Sequence, residues 1–340
     1  MIDLRSDTVT QPTDAMKAAM MAAPLGDDVL GDDPTVLLLQ QRCSELFGKV
    51  ASCFVPSGSM ANQTAIRAQT SPGDEIICHR DSHVYCYEAG AWAAISGCSM
   101  AMLDGPRGQF EPADVAAAIR MDDHHFATSR LLVLENTQNR GGGAVWPLDR
   151  IEAVTTEARR HGLRCHLDGA RIWNASAASG VSVADYAKHF DTVSACFSKG
   201  LGCPVGSIVC GDADTMHRVH RARKMLGGTM RQSGMLAGAA IYAMDHHCER
   251  LADDHAHARC IAETLADIEG VCIDLDAVET NIIYFDVQGD AAEVVASLAL
   301  RDILMLDTGP HTIRVVTSLA VCAADVDAVC KTLPEVLPGR

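Results

Sequence analysis

No run of about 18 apolar residues occurs anywhere in this 340-residue chain, so a membrane span is not expected. Positive charge is scarce: 28 Lys and Arg against 44 Asp and Glu leave a formal net charge of −16. That field repels phosphate backbones and anionic lipid, and argues against a nucleic acid or a membrane as partner. An anionic ligand therefore has to be held locally, by arginines and backbone amides. The opening MIDLRSDTVT lacks the basic and apolar regions of a secretory leader, which makes the cytoplasm the expected compartment. The 14 cysteines include no C-x-x-C pair. They read as reduced, mostly buried small hydrophobes rather than a disulfide framework, and no zinc or other metal site is expected from them. Internal repeats, low-complexity tracts, a Walker loop and G-x-G-x-x-G are missing too. What the chain does have is core material: 48% of its residues are apolar, over a length that favours two domains or one large domain with a smaller appendage.

From Lys49 to Cys210 apolar runs alternate strand, helix, strand, helix, the pattern of a mostly parallel, doubly wound α/β sheet. Strands are expected at Ala51–Val55, 75–78, 130–135 and 164–167, with helices over 60–69, 114–121 and 148–161. A helix over 35–47 is expected to pack through Leu37, Leu38, Leu39 and Leu46. After a glycine-hinged loop at 227–233, one long helix is expected to run past Leu251. A smaller α/β unit follows, with strands at 271–275, Ile282–Val287 and 312–317 and helices ending at Glu269, over 291–300 and from Ala323. The division this implies is an N-terminal segment 1–25, a large domain 26–245 and a small C-terminal domain 246–340.

The chemistry concentrates where strands meet loops. In DTVSACFSKGLGCPVGSIVCG, 191–211, Lys199 stands between an apolar β-branched run and a glycine-rich turn. A lysine at a buried strand end is desolvated, which favours the neutral amine that attacks carbonyls. Ser198-Lys199-Gly200 taken alone also reads as a surface turn, so the assignment depends on distant partners. Pro56-Ser57-Gly58-Ser59, between a strand and a helix, offers backbone N–H groups and a helix dipole to an anion. His83 and Glu88 lie in a polar-aromatic stretch, 79–90, and Glu135 ends a strand. Asp168 ends another, where burial demands a cationic partner: a protonated ring nitrogen, or Arg171 three residues on. Arg314 in TIRVVTS is an edge-strand surface residue or a carboxylate clamp. Gly26 to Pro34 carries four aspartates in a long turn. His217 and His220 lack a third ligand in sequence and read as a solvated face.

These motifs fall in order as DLRSDTVTQPT, GDDVLGDDPTV, PSGSMAN, SHVYCYEAG, HFATSRLLVLENT, LDGARIWNA, FSKGLGCPVGS, RKMLGGTMRQSG and IRVVTS. In this the chain resembles, nearly end to end, the low-specificity L-threonine aldolases of the beta-eliminating lyase family, which are fold-type I pyridoxal-5′-phosphate (PLP) enzymes. The resemblance implies the PLP-dependent transferase fold, with a mostly parallel seven-stranded sheet in the large domain and a smaller C-terminal α/β domain. It implies that Lys199 carries PLP as a Schiff base, that Asp168 pairs with the pyridine nitrogen and that His83 stacks on the ring. Ser57, Gly58 and Ser59 would hold the phosphate with help from Lys224 and Arg231, the latter supplied in the family by a neighbouring subunit; Arg171 would also contribute to cofactor binding. Ser6, Arg171 and Arg314 would take the substrate carboxylate.

The implied reaction is reversible retro-aldol cleavage of L-threonine, L-allo-threonine and related β-hydroxy-α-amino acids to glycine and an aldehyde. The base for the β-hydroxyl is open among His83, a water near Glu88, and His125. A homo-oligomer, a dimer of dimers with sites at the subunit interface, is implied as well. The alternatives are a preference for a phenylserine-type or 3-hydroxyaspartate-type substrate, another fold-type I lyase or transaminase, and, in a different class, a cofactor-binding protein without turnover. The family commonly has tyrosine where Leu30 stands, histidine at Gln138 and Ser318, and a second glycine at Ala91. Leu30 is accordingly expected to make the pocket more apolar and shift preference away from threonine.

Overall fold

The computed structural model describes residues 1–337. Its centre is a seven-stranded sheet whose order, edge to edge, is Ala51–Val55, Ser207–Gly211, Thr192–Cys196, Arg164–Gly169, Thr128–Glu135, Asp74–His79 and Ser99–Leu103. Only Ser207–Gly211 opposes its neighbours; the remaining pairings are parallel. The inner strands read as unbroken apolar runs because they are covered on both sides. Along Thr128–Glu135, Leu132 and Leu134 enter one core while Leu131 and Val133 enter another. Helix Gly58–Gln69 lies over one face of the sheet. Helices Pro34–Leu46, Leu148–Arg160 and Gly234–His246 contribute to the core on the other face.

A second core, around Ile261, Leu265, Ile283, Phe285, Ile313, Val315 and Leu333, belongs to a four-stranded antiparallel sheet and the helices Leu251–Ala266, Ala291–Ala299 and Ala323–Val336. The N-terminus joins it. Ile2–Asp3 pairs in parallel with Ile303–Leu304, and Leu4 is fully buried there.

Several expectations need correction. The long helix after Ser233 is two helices, Gly234–His246 and Leu251–Ala266; His247 caps the first, and its ring bonds the Leu201 carbonyl across 2.7 Å. The packing face of helix Pro34–Leu46 is Val36, Leu39 and Cys43, whereas Leu37, Leu38 and Leu46 are exposed. The edge strand Ser99–Leu103 was not anticipated, since SMAML is half-exposed and has no β-branched residue. The expected 271–275 strand is only Val271–Cys272. His220 is half-buried, with its ring Nδ1 3.7 Å from Cys53 Sγ, rather than on a solvated face. All 14 cysteines are free thiols, eight of them buried, as the sequence reading expected.

The loop that carries Lys199 is closed by Gly206. Its N–H donates to the Pro56 carbonyl at 3.0 Å and its carbonyl accepts from Phe197 N–H at 3.0 Å, at φ +112°. A Cβ there would stand 2.7 Å from the Phe54 ring. Gly206→Ala is expected to cost about 1–3 kcal/mol, measured as a lower urea midpoint; an unchanged midpoint would show that the loop is free to readjust.

Candidate active site

Parallel pairing brings the ends of three strands to one edge of the sheet. Glu135 and Asp168 are register partners, and Asp168 is in turn the partner of Ser194, so both carboxylates sit side by side with Lys199 five residues beyond Ser194. Lys199 is half-buried, and its amine has no hydrogen-bond partner among the described residues. Helix Gly58–Gln69 begins at the same edge, since the strand before it runs in the same sense as Thr192–Cys196. Ser57 caps that helix, its Oγ accepting from Met60 N–H at 3.2 Å. A Cβ on Gly58 would come 2.7 Å from Cys196 Sγ, so the backbone there has to stay bare.

Around Asp168 lies a hydrogen-bonded cluster. One Oδ accepts from Ala170 N–H at 3.1 Å and the other from the Asn62 amide at 2.8 Å. The same Asn62 amide donates to Glu88 at 2.8 Å, and Gln63 donates to the other Glu88 oxygen. His83 Nδ1 donates to Glu88 at 2.9 Å. Burial alone would push the His83 imidazolium down, but the bond to Glu88 and the charges of Asp168, Glu88 and Glu135 outweigh it and hold the pKa above its ordinary value. Glu135 accepts from the backbone N–H of His83 at 2.7 Å and of Asn139 at 2.9 Å. Its own carboxyl is pushed up to about 7, by burial first and then by the charge of Asp168.

On the other side the N-terminal segment collects the arginines. Arg171 donates Nε and Nη2 to the two oxygens of buried Asp7, 2.7 Å each, and Asn281 adds a third donor at 3.3 Å. Burial would raise the Asp7 carboxyl, yet the Arg171 guanidinium, with Lys199 and Asn281, holds it below the usual value. Arg314 Nη2 donates to the Arg5 carbonyl at 2.9 Å, Nη1 lies 3.4 Å from Asn139 Oδ1, and Nε is buried with no partner. Ser6 lies between these anchors, its Oγ accepting from Thr8.

The structure thus gathers Ser57, Gly58, His83, Glu88, Asp168 and Lys199 along one edge, and Ser6, Arg171 and Arg314 around one segment. It also corrects parts of the sequence reading. Arg171 is no open clamp and makes no bridge to Asp168, because Asp7 occupies its Nε and Nη2. Both oxygens of Glu88 accept hydrogen bonds inside the protein, from Asn62, Gln63 and His83. His125 is exposed and bonded to Asp123 just before the start of Thr128–Glu135. Eight strand residues at about 3.3 Å each put it roughly 25 Å from the Glu135 end. Within its own chain it cannot serve as the base.

Leu30 is 75% exposed on the Asp27–Gly31 turn. Lys224 and Arg231 are exposed as well, Arg231 pairing with Asp27 at 3.0 Å. Gln138 and Ser318 are buried, Gln138 donating to the Asp81 carbonyl. Sequence reasoning missed Asp7 as the partner of Arg171, and missed Asn62 and Gln63 altogether. The signal for the last two was a run of polar residues, Asn62-Gln63-Thr64, in a helix between two buried strands.

A family model described as beta-eliminating lyase matches residues 3–288. The chain belongs to the beta-eliminating lyase family. Among relatives in that family, the low specificity L-threonine aldolase of Escherichia coli K12 is 42% identical over 322 residues, covering 94% of this chain and 95% of the relative. Low-specificity L-threonine aldolase 1 of Arabidopsis thaliana is 38% identical over 334 residues, 96% and 93% of the two chains. A solved structure of Leishmania major threonine aldolase superposes with a TM-score of 0.86 over 99% of this chain and 100% of its own, at 19% identity. That last likeness speaks for the fold, which is fold type I of the PLP-dependent enzymes, as the sequence resemblance led one to expect.

Asp7 gives this site a stability signature. Asp7→Asn leaves Arg171 buried without its counter-charge and is expected to cost about 3–5 kcal/mol at pH 7. Because the Asp7 carboxyl titrates below its ordinary value, its contribution is present above an unfolded pKa of about 3.9 and is lost as pH falls through the folded one. Urea unfolding of both proteins at pH 7 and pH 3 should therefore show the gap shrinking in acid, and an equal gap at both would mean the pair contributes no charge effect.

Proposed function

We propose that this chain is a PLP-dependent carbon–carbon lyase that cleaves L-threonine, L-allo-threonine and related β-hydroxy-α-amino acids to glycine and an aldehyde. One observation carries the reading: an unpartnered, half-buried amine, Lys199, stands at the sheet edge that holds Asp168 and His83, beside the anchored arginines. The names of the relatives above support it. The residues suit the cofactor. A bare Gly58 backbone at a helix start suits a phosphate, a buried carboxylate at Asp168 suits a protonated ring nitrogen, and the orphaned Arg314 Nε suits a carboxylate ligand.

Bound here, PLP supplies an electron sink for the charge left on Cα when the Cα–Cβ bond breaks. The chain does the rest. Lys199 holds the cofactor through its amine, Asp168 holds the ring-nitrogen proton, and Ser57, Gly58 and Ser59 hold the phosphate. Arg314 and Ser6 orient the substrate carboxylate, with the remaining Nη1 of Arg171 beside them. His83 covers the ring, and Nε2 takes the β-hydroxyl proton, since Nδ1 is engaged by Glu88. The division into domains 26–245 and 246–340 is part of this proposal, because the Asp168 edge and Arg314 come from opposite sides of it.

Self-association is part of it too. Leu25, Leu30, Leu37, Leu38 and Leu46 are exposed on the turn and helix that follow residue 24, close in sequence to Asp27, the partner of Arg231. A second copy covering them would bring Lys224, Arg231 and Leu30 to a neighbour's site, in a dimer of dimers. No helix among the described residues is long and apolar enough to cross a membrane, and a cytoplasmic location is kept as a proposal.

The decisive assay incubates the PLP-loaded protein with both diastereomers of threonine and phenylserine and with 3-hydroxyaspartate. Glycine and aldehyde are expected as products; keto acid would replace this reading with a transaminase. Lys199→Ala is expected to abolish turnover and the visible absorbance of the lysine-bound cofactor, and retention of both would refute the assignment. Because Glu88 helps hold the His83 pKa up, a neutral imidazole base loses activity below that value. Glu88→Gln is expected to move the acid limb of the kcat/KM profile to lower pH. An unmoved limb would take the base role away from His83.

A further inference from the structure

Asn62 is 2% exposed on the helix that covers the sheet, and its one amide meets four groups from other segments. Its nitrogen lies 2.8 Å from Glu88 Oε1 and 2.8 Å from Asp168 Oδ2. Its oxygen lies 2.8 Å from Ser194 Oγ and 3.1 Å from His166 Nε2. Carboxylates only accept, so the amide orientation is determined: NH₂ towards the acids, oxygen towards Ser194 and His166. The tautomer of His166 follows. Its Nε2 carries the hydrogen, and Nδ1 accepts from Thr192 Oγ1 at 2.8 Å, while Thr192 Oγ1 accepts from Gln69 Nε2 at 2.7 Å. Burial pushes this imidazole down to about 4, which keeps it neutral.

We propose that Asn62 is a positioning residue that binds the ring-nitrogen acid, Asp168, and the acid behind the ring-covering histidine, Glu88, into one unit. The role requires an amide. Two buried carboxylates whose oxygens fall within 4.8 Å of each other and of a His83 nitrogen need donors between them. A hydroxyl supplies one N–H equivalent where two are needed, an aliphatic group supplies none, and Asp adds a third charge. The groups facing position 62 are Glu88 and Asp168, the neutral His166, and, through Glu88 and Asp168, His83 and Glu135. Among the described residues no cation stands in direct contact with this amide to offset an added carboxylate. Asn62 thereby sets the direction of Asp168, which would meet the ring nitrogen, and, through Glu88, that of His83, which would cover the ring.

The part of the inference that concerns the ring rests on the proposed PLP reading; the amide bridge between the acids does not. Asn62→Asp is the sharpest probe, being isosteric. In the apo protein, the melting-temperature deficit of Asn62→Asp against wild type is expected to be larger at pH 8 than at pH 5. A carboxyl forced among two others has a raised folded pKa, so the folded state is penalised as pH rises from the unfolded value through the folded one, and in acid the protonated group donates again. With PLP added at pH 8, cofactor affinity is expected to fall about 10- to 100-fold, the loss of charge-assisted hydrogen bonds, and to recover towards pH 5. Asn62→Ala, which can never donate, is expected to show the loss without the acid recovery. If Asn62→Asp does not fold, Asn62→Ser, with one donor left, is expected to show a smaller loss of affinity.

Equal melting deficits at both pH values, or wild-type cofactor affinity in both Asn62→Asp and Asn62→Ala, would overturn the proposal. Wild type that takes up no PLP while the apo deficit still depends on pH would instead overturn the proposed function and leave the bridge standing.

Discussion

Four carboxylates buried around one edge of a sheet are the constraint from which the site follows. Asp7, Glu88, Glu135 and Asp168 are each 5% exposed or less, and an ionised carboxylate without donors at that depth costs several kcal/mol. They are satisfied in three ways. Asp7 has a guanidinium, Glu135 has two backbone N–H groups, and Glu88 and Asp168 share an asparagine amide. The different solutions separate their acid strengths: Asp7 is held low by a full positive charge, while Glu135 is pushed up by burial and by the charge of Asp168. Groups of one chemical type thus take different protonation states within one site, which is how acid and base tasks are divided at neutral pH.

What could be read from the sequence and what could not divide along physical lines. Buried parallel strands announce themselves as unbroken apolar runs, and Lys199, Asp168 and Glu135 were legible because each ends such a run. Contacts between distant segments were not. Nothing local in DLRSD indicates that Asp7 will meet a guanidinium 164 residues away. Asn62 was missed for a related reason: periodicity separates apolar from polar faces, and an amide aimed at buried acids looks like any solvated residue of an amphipathic helix. The misreading of helix Pro34–Leu46 had the opposite cause. A dense cluster of leucines drew attention, while the spacing of Val36, Leu39 and Cys43 carried the buried stripe.

His125 is the instructive failure. Family resemblance suggested it for the base, yet the same parallel-sheet logic that singled out Glu135 places any residue preceding that strand at the far edge. The rule that ligands gather at the carboxyl ends of parallel strands was available, and it outranks likeness of a short motif within one chain. An exposed histidine can act at a site only if another surface is brought to it. For His125, as for Arg231 and Leu30, the question of function is therefore a question about assembly.

The N-terminal segment explains how two cores produce one site. Residues 2–4 are held between the backbone of 302–304 and Val316, with hydrogen bonds of 2.7 and 2.8 Å. The Arg5 carbonyl takes Arg314, the Asp7 carboxylate takes Arg171, and helix Asp14–Ala22 then lies against Gly234–His246. Between residues 2 and 22 the chain has touched the small sheet, Arg314, Arg171 beside the large sheet, and one of the helices that cover it. Arg314 belongs to one core and Arg171 to the other, so their separation is set by the backbone between residues 5 and 7 as much as by either sheet. The buried Asp7–Arg171 pair engages Nε and Nη2 of Arg171. It makes one end of that short span immovable, so that the free Nε of Arg314, at the other end, is presented at a defined place.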